Sequence, residues 1–223
     1  MFKYKKAVIV TGYVENIEKI NPRFLSGCDL VICADAGYKY LDSLHIDADI
    51  IIGDFDSADA PVKVSAECIK IPCEKDMTDT EAAFDIAVRK NPQEILIVGG
   101  LGGRFDHTLG NISLMRKFAS SLHPHEKNET VPSISILDGN NFISLKTPGN
   151  HTFSSDDFKD YKYFSIYPLT KTAENVNLSG FKYDVHNAVL TNDSTHFISN
   201  EINSCEASVS FSSGLILVIL SND

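Results

Sequence analysis

Residues 94–107 read EILIVGGLGGRFDH, and this stretch decides the fold class. Positions 94–98 have the Val/Ile/Leu content and the length of a strand buried on both faces. Glycines 99, 100, 102 and 103 then break the run, and apolar residues at helical spacing follow over 108–122. A strand, a glycine turn and a helix form the repeating unit of a parallel sheet whose crossover helices cover its faces. Upstream, 7–11, 30–33, 49–52 and 68–71 repeat the strand texture, and 38–44 and 78–89 carry helical spacing. An α/β domain with a parallel sheet covered on both faces is therefore expected over residues 1–139.

A polar loop with two prolines at 123–133 marks the end of that texture. Beyond it, 134–137, 142–145, 163–167, 187–190, 196–202, 207–211 and 215–220 read as short strands separated by Gly, Asn, Asp and Ser. Such regular short strands predict an antiparallel, all-β sandwich or barrel, expected over residues 140–223.

Composition limits the function. The 223 residues carry 20 Lys plus Arg against 30 Asp plus Glu, a net charge of −10, and 43% are hydrophobic. That apolar share builds a core and excludes a disordered chain. The acidic balance argues against a nucleic-acid partner, which needs a basic face. The longest apolar run, 215–220, is far short of the roughly 20 residues that span a bilayer, and no secretory signal opens the chain. No membrane partner and a cytoplasmic location are expected. Five cysteines without a C-x-x-C pair read as free, mostly buried thiols.

In an open α/β sheet, ligands bind at the carboxyl ends of the strands. There the sequence places Asp35 in Ala34-Asp35-Ala36-Gly37, and Asp54 and Asp56 in Gly53-Asp54-Phe55-Asp56-Ser57. Lys75, Asp76, Thr78 and Asp79 follow the next strand. Twelve of the 19 aspartates precede residue 110, so the acidic charge gathers at this edge. Asp54 and Asp56, two apart, share a side in extended backbone. Two carboxylates about 4 Å apart repel by about 4 kcal/mol at an effective dielectric of 20, so such a pair shares a proton or binds a cation. Oxygen ligands select a hard ion such as Mg²⁺, which bridges carboxylates to phosphates. A lone D-x-D is equally a turn after a strand; Asp35, Asp76 and Asp79 on the same edge favour the metal.

Thr78 and Glu81 have the spacing of a capping box, which places Asp79 in the first helical turn, where it can face that metal. Gly100, Gly102 and Gly103 fit neither the dinucleotide fingerprint nor a P-loop. Glycines nevertheless let a polyphosphate approach the backbone at a helix N-terminus. Arg104 suits bidentate contact with phosphate, and Asp106 either orients Arg104 or meets the nucleotide. Without a ligand the same segment is a tight turn with a surface Arg–Asp pair, and His107 reads as a turn or cap residue. The chain has no nucleophile-plus-base motif, so the pattern points to metal-assisted phosphoryl transfer.

In this order and spacing, Ala34–Gly37, Gly53–Ser57, Asp76-Met77-Thr78-Asp79 and Gly99–His107 resemble the thiamine pyrophosphokinase (thiamine diphosphokinase) family. Gly180-Phe181-Lys182-Tyr183, Ile198-Ser199-Asn200-Glu201 and Ser213-Gly214-Leu215 resemble its thiamine-side half, so the likeness spans essentially the whole chain. The resemblance implies a Rossmann-like domain followed by a β-sandwich. It further implies a homodimer with active sites between one subunit's α/β domain and its partner's β domain. The implied reaction is ATP + thiamine → AMP + thiamine diphosphate. Asp54, Asp56 and Asp79 would hold Mg²⁺ with Asp35 nearby. Lys75, Asp76, Thr78, Gly100, Gly102, Gly103, Arg104 and Asp106 would face ATP, and Ser199 and Asn200 would line the thiamine pocket. Two departures stand out: many relatives have Ala-Asp-Gly-Gly at the first motif, and animal relatives stack thiamine on a tryptophan, which this chain lacks. The rival readings are a Mg-dependent phosphohydrolase using the same acidic edge and a non-catalytic thiamine- or nucleotide-binding regulator.

Overall fold

Strands with no polar face must lie between two layers, and the first unit of the chain, Met1–Gly139, builds its sheet from such strands. The computed structural model describes residues 2–55, 65–74, 76–121 and 132–223. Strands β1 (Tyr4–Val10), β2 (Leu30–Ala34), β3 (Ile50–Gly53), β4 (Glu67–Lys70), β5 (Pro92–Val98) and β6 (Ser133–Leu137) run parallel in the order β4-β3-β2-β1-β5-β6. Ala7, Val8, Ile9, Ile32, Ile51, Ile95 and Ile97 on the central strands are fully buried. From β1 the chain builds outward through β2, β3 and β4, then jumps across to β5. The strand order thus reverses between β1 and β5, the place where open α/β sheets bind ligands.

Helix α1 (Leu41–Leu44) is short, while α2 (Asp79–Arg89) and α3 (Phe105–Ser121) are longer. The alanine-rich face of α2, with Ala82, Ala83, Phe84 and Ala87, is buried. Its Phe84 meets Phe118 of α3 edge-on, with ring centroids 5.7 Å apart. Exposed Lys117 of α3 adds an ion pair to Glu81 of α2 at 2.8 Å.

The second unit, Asn140–Asp223, is built of β7 (Asn141–Lys146), β8 (Gly149–Ser154), β9 (Tyr163–Pro168), β10 (Thr172–Ser179), β11 (Val185–Thr191), β12 (Glu206–Phe211) and β13 (Ile216–Ser221). Antiparallel pairing orders them β7-β13-β9 and, in a separate sheet, β11-β10-β12-β8. Phe164, Ile166, Ile216, Val218 and Leu220 of the first set share one apolar cluster with Phe153, Val176, Leu178, Val209 and Phe211 of the second.

Several expectations need correction. The helix expected over 38–44 is a 3₁₀ segment, Asp35–Tyr40, running into the single turn of α1. No strand forms over 196–202; that stretch makes only the isolated bridges Phe164↔Asn200 and Phe181↔Ile202. Ser199, at φ 62, turns the backbone out of the extended region there. Strands β8 and β10 were not expected because polar residues dominate them, and register shifts interrupt the alternation of β10. Helix α3 starts at Phe105, three residues earlier than its apolar spacing suggested. The 123–133 loop lies outside the described residues except at its end, where Ser133 opens β6. All five cysteines are free, but only Cys33 is buried, its thiol pushed up to about 12 by desolvation; Cys68, Cys73 and Cys205 are exposed. Among the described residues no helix is long and apolar enough to cross a membrane.

Candidate active site

The crossover point between β1 and β5 is assembled by backbone hydrogen bonds. The Thr11 N–H donates to the Val98 carbonyl (3.0 Å), and the Gly100 N–H donates to the Tyr13 carbonyl (2.9 Å). Gly99 and Gly102 adopt the left-handed backbone, at φ 84 and 74. A Cβ on Gly99 would strike the Tyr13 carbonyl, and one on Gly102 would strike the Glu15 carboxylate. At Gly99 the obstacle is backbone that cannot give way, whereas at Gly102 the left-handed torsion is the constraint, because the Glu15 side chain can move. Buried Asn111 of α3 donates its amide to the Gly100 carbonyl (2.8 Å), fastening the loop to the helix. The result is a bare-backbone cradle at a helix start, suited to a polyphosphate.

At its rim, Arg104 and Asp106 form a fork. Nε meets Oδ1 at 3.2 Å and Nη2 meets Oδ2 at 2.6 Å. Their mutual hydrogen bond holds the Asp106 carboxyl below its usual range and raises the Arg104 guanidinium. Both side chains are largely exposed, so the fork is preformed at the surface. His107 sits in the first turn of α3, its N–H shared between the Arg104 carbonyl (3.1 Å) and Asp106 Oδ1 (3.0 Å). The next residue, Thr108, has a buried hydroxyl with no hydrogen-bond partner among the described residues.

The acids occupy neighbouring strand ends. Asp35 follows β2 at φ 50, a left-handed conformation that is rare for a non-glycine residue. A Cβ on Gly12 would lie 2.9 Å from its Oδ2, and one on Gly53 would lie 3.4 Å from its Cα, so the ends of β1, β2 and β3 converge on Asp35. A Cβ on Gly37 would run into the Val10 carbonyl, which accounts for the glycine of the Ala-Asp-Ala-Gly motif. Asp54 follows β3 and accepts a hydrogen bond from the Cys73 thiol (3.3 Å). Asp79 opens α2, capped by Thr78, whose Oγ1 accepts from the Glu81 N–H (3.1 Å). Asp76 is exposed in the bend before that cap. Asp56 and Lys75 lie outside the described residues. Among the described residues no three His, Cys, Asp or Glu are gathered closely enough to hold a metal ion. The donors that reach this edge are carboxylates, and their chemistry fits a hard divalent ion.

In the second unit, the Ser199 N–H donates to Ser165 Oγ (2.9 Å), tying its turn to β9. The buried side chain of Asn200 makes three hydrogen bonds. Its Oδ1 accepts from the N–H groups of Tyr183 (3.1 Å) and Glu201 (2.9 Å), and its Nδ2 donates to the Tyr183 carbonyl (2.9 Å). What this clamp presents is the Tyr183 ring, 62% exposed, with Lys182 Nζ 5.7 Å from its centroid. Lys182 in turn pairs with Glu201 at 2.8 Å, which lowers the Glu201 carboxyl.

Residues 22–125 match the thiamin pyrophosphokinase catalytic domain, and residues 150–216 match the thiamin pyrophosphokinase vitamin B1 binding domain. The curated thiamine pyrophosphokinase of Bacillus subtilis is 35% identical over 187 residues, which are 80% of this chain and 82% of that protein. The chain belongs to the thiamine pyrophosphokinase family. The solved structure of thiamine pyrophosphokinase from Bacillus subtilis aligns with a TM-score of 0.81 at 32% identity, covering 98% of this chain and 100% of that one. The thiamin pyrophosphokinase structure from Geobacillus thermodenitrificans gives 0.79 at 32%, covering 98% of each. Parallel strands with a separate antiparallel sheet are thus the architecture this chain has in common with thiamine pyrophosphokinases.

Set against the family motifs, the first unit brings Asp35 beside Gly53, and so next to Asp54 in the chain, and joins Arg104 to Asp106. Sequence reasoning gave no role to Tyr13 or Glu15, which wall the glycine cradle, or to the Tyr183 ring. For Tyr183 a signal existed: it is one of two aromatic residues, with Phe181, in the thiamine-side Gly-Phe-Lys-Tyr segment of a chain without tryptophan.

Proposed function

We infer that the protein is an enzyme that makes thiamine diphosphate from ATP and thiamine. The observation that carries this reading is the bare-backbone cradle of Gly99–Gly103 at the sheet crossover, flanked by the carboxylates of adjacent strand ends. The phosphates lie along the cradle and the start of α3, where Arg104, preset by Asp106, grips their oxygens. Lys75, Asp76 and Thr78 complete the nucleotide side. Asp54, Asp56 and Asp79, with Asp35 alongside, would hold Mg²⁺, which supplies charge neutralisation for the polyphosphate. The thiamine hydroxyl attacks the β-phosphorus in line and AMP leaves. Positioning and charge dominate such a step, so no general base is assigned.

On the acceptor side, Ser199 borders thiamine, Tyr183 stacks on one of its rings and Asn200 positions Tyr183. An aromatic face also attracts a cation such as the thiazolium. The finer architecture is a Rossmann-like domain followed by a β-sandwich, and the assembly is a cytoplasmic homodimer with active sites shared between subunits. Incubation with Mg-ATP and thiamine, read by chromatography, is expected to give AMP and thiamine diphosphate one to one. ADP as product, or phosphate release without thiamine, overturns the assignment and favours the phosphohydrolase.

A further inference from the structure

The glycine cradle and the acids account for the phosphates and the metal but leave the nucleoside half of ATP unplaced. The sheet order limits where that half can go. Asp35 and Asp54 stand at the ends of β2 and β3, whereas the cradle follows β5, on the far side of β1. A polyphosphate reaching from the acids to the cradle crosses the end of β1. Gly12 marks that crossing, since a Cβ there would lie 2.9 Å from Asp35 Oδ2. The segment leaving β1, residues 12–15, is next in line.

Its backbone is fixed at two points. The Tyr13 carbonyl accepts from the Gly100 N–H (2.9 Å) and from Thr11 Oγ1 (2.8 Å), and the Glu15 carbonyl accepts from the Gly139 N–H (3.2 Å). Its side chains lie along the cradle. A Cβ on Gly103 would sit 3.2–3.3 Å from Cδ1, Cε1 and Cζ of Tyr13, so one edge of the ring rests on that glycine. The Glu15 carboxylate lies against Gly102. Tyr13 is nevertheless 46% exposed. A ring held by its main chain yet open to solvent is a ready platform for a base, because every base has a π-face to stack. The Glu15 carboxylate repels phosphate, but it is a strong acceptor for a neutral diol, the role acidic residues play toward ribose in dinucleotide sites.

We propose that Tyr13 stacks on the base of ATP and that Glu15 accepts hydrogen bonds from its ribose hydroxyls. Stacking tolerates any base, so discrimination at this wall falls on the sugar. The proposal rests on the reading of the cradle as the ATP site.

The chain has no tryptophan, so Tyr13→Trp places a single fluorophore at the proposed contact. Its emission should be quenched saturably by Mg-ATP. Inorganic tripolyphosphate with Mg²⁺, which shares only the phosphates, should displace ATP without quenching. The comparison variant Phe105→Trp, at an exposed position in the first turn of α3, should keep its emission. In steady-state kinetics Tyr13→Ala should raise KM for ATP by about tenfold or more with kcat unchanged, and Tyr13→Phe should restore it. Wild type should favour ATP over 2′,3′-dideoxy-ATP by about tenfold or more, and Glu15→Ala should abolish that preference. Calorimetry with Mg-ATP on wild type separates the two levels: no binding refutes the ATP site itself. Where ATP binds, an unquenched Tyr13→Trp, quenching at Phe105→Trp instead, an unchanged KM in Tyr13→Ala, or an unchanged sugar preference in Glu15→Ala overturns the proposal alone.

Discussion

The side-chain amide of Asn200 holds both backbone polar groups of Tyr183, accepting its N–H at 3.1 Å and donating to its carbonyl at 2.9 Å. The buried amide thereby fixes the position of an exposed aromatic ring in the turn that follows β10.

Asn200→Ala should therefore destabilise the protein by about 1–3 kcal/mol, the cost of leaving buried backbone groups unpaired. It should also raise KM for thiamine while leaving KM for ATP unchanged. Tyr183→Ala should raise KM for thiamine with an unaltered denaturation midpoint, and Tyr183→Phe should restore it. Steady-state kinetics beside urea unfolding checks both; an equal rise in the two KM values refutes the positioning role.

The Arg104–Asp106 fork sets a pH dependence. Folding lowers the Asp106 carboxyl, so the contribution of the fork is fully present above the ordinary aspartate range and is lost as pH falls through the lowered value. An NMR titration should place the Asp106 midpoint below that of a free aspartate, and Arg104→Ala should return it upward. Arg104→Ala should also raise KM for ATP with only a slight fall in the melting temperature, since both side chains are exposed. An unmoved Asp106 midpoint in that variant counts against the fork.

Two glycine substitutions should act in opposite directions. Gly37→Ala drives a methyl into the Val10 carbonyl, where no side chain can give way; a loss of about 1–3 kcal/mol is expected, with lowered activity as Asp35 is displaced. Gly110→Ala lies in α3 with nothing within 4 Å of the new methyl. It should gain about 0.5–1 kcal/mol from helix propensity. Denaturant midpoints measure both.

Asp54→Asn should lower turnover by about 100-fold or more with the melting curve unchanged. Chelation of divalent ions should abolish turnover in wild type, and added Mg²⁺ should restore it. Turnover at the wild-type level in Asp54→Asn removes that residue from the metal site.

The parallel sheet was legible because Val/Ile runs such as 94–98 are buried on both faces and end at glycines, a pattern that depends on local chemistry alone. The position of Arg104 beside Asp106 was legible for the same reason, since the two are neighbours in sequence. Less visible were features that depend on distant partners. Strand β10 is polar over Glu174 and Asn175, and only its pairing with β11 and β12 makes it a strand. The stretch around Ser199 has strand-like composition, but the hydrogen bond from its N–H to Ser165 holds a left-handed turn there. The work of Asn200 could not be read either, because its partner Tyr183 is 17 residues away.

The cradle of Gly99 and Gly102 has a consequence for how such an enzyme can diversify. At Gly99 a left-handed torsion coincides with close backbone approach, so substitution there leads to loss of the shape rather than to a variant of it. Selection or engineering for another nucleotide must therefore work on the facing wall, where Tyr13 and Glu15 touch the loop with side chains that can be exchanged.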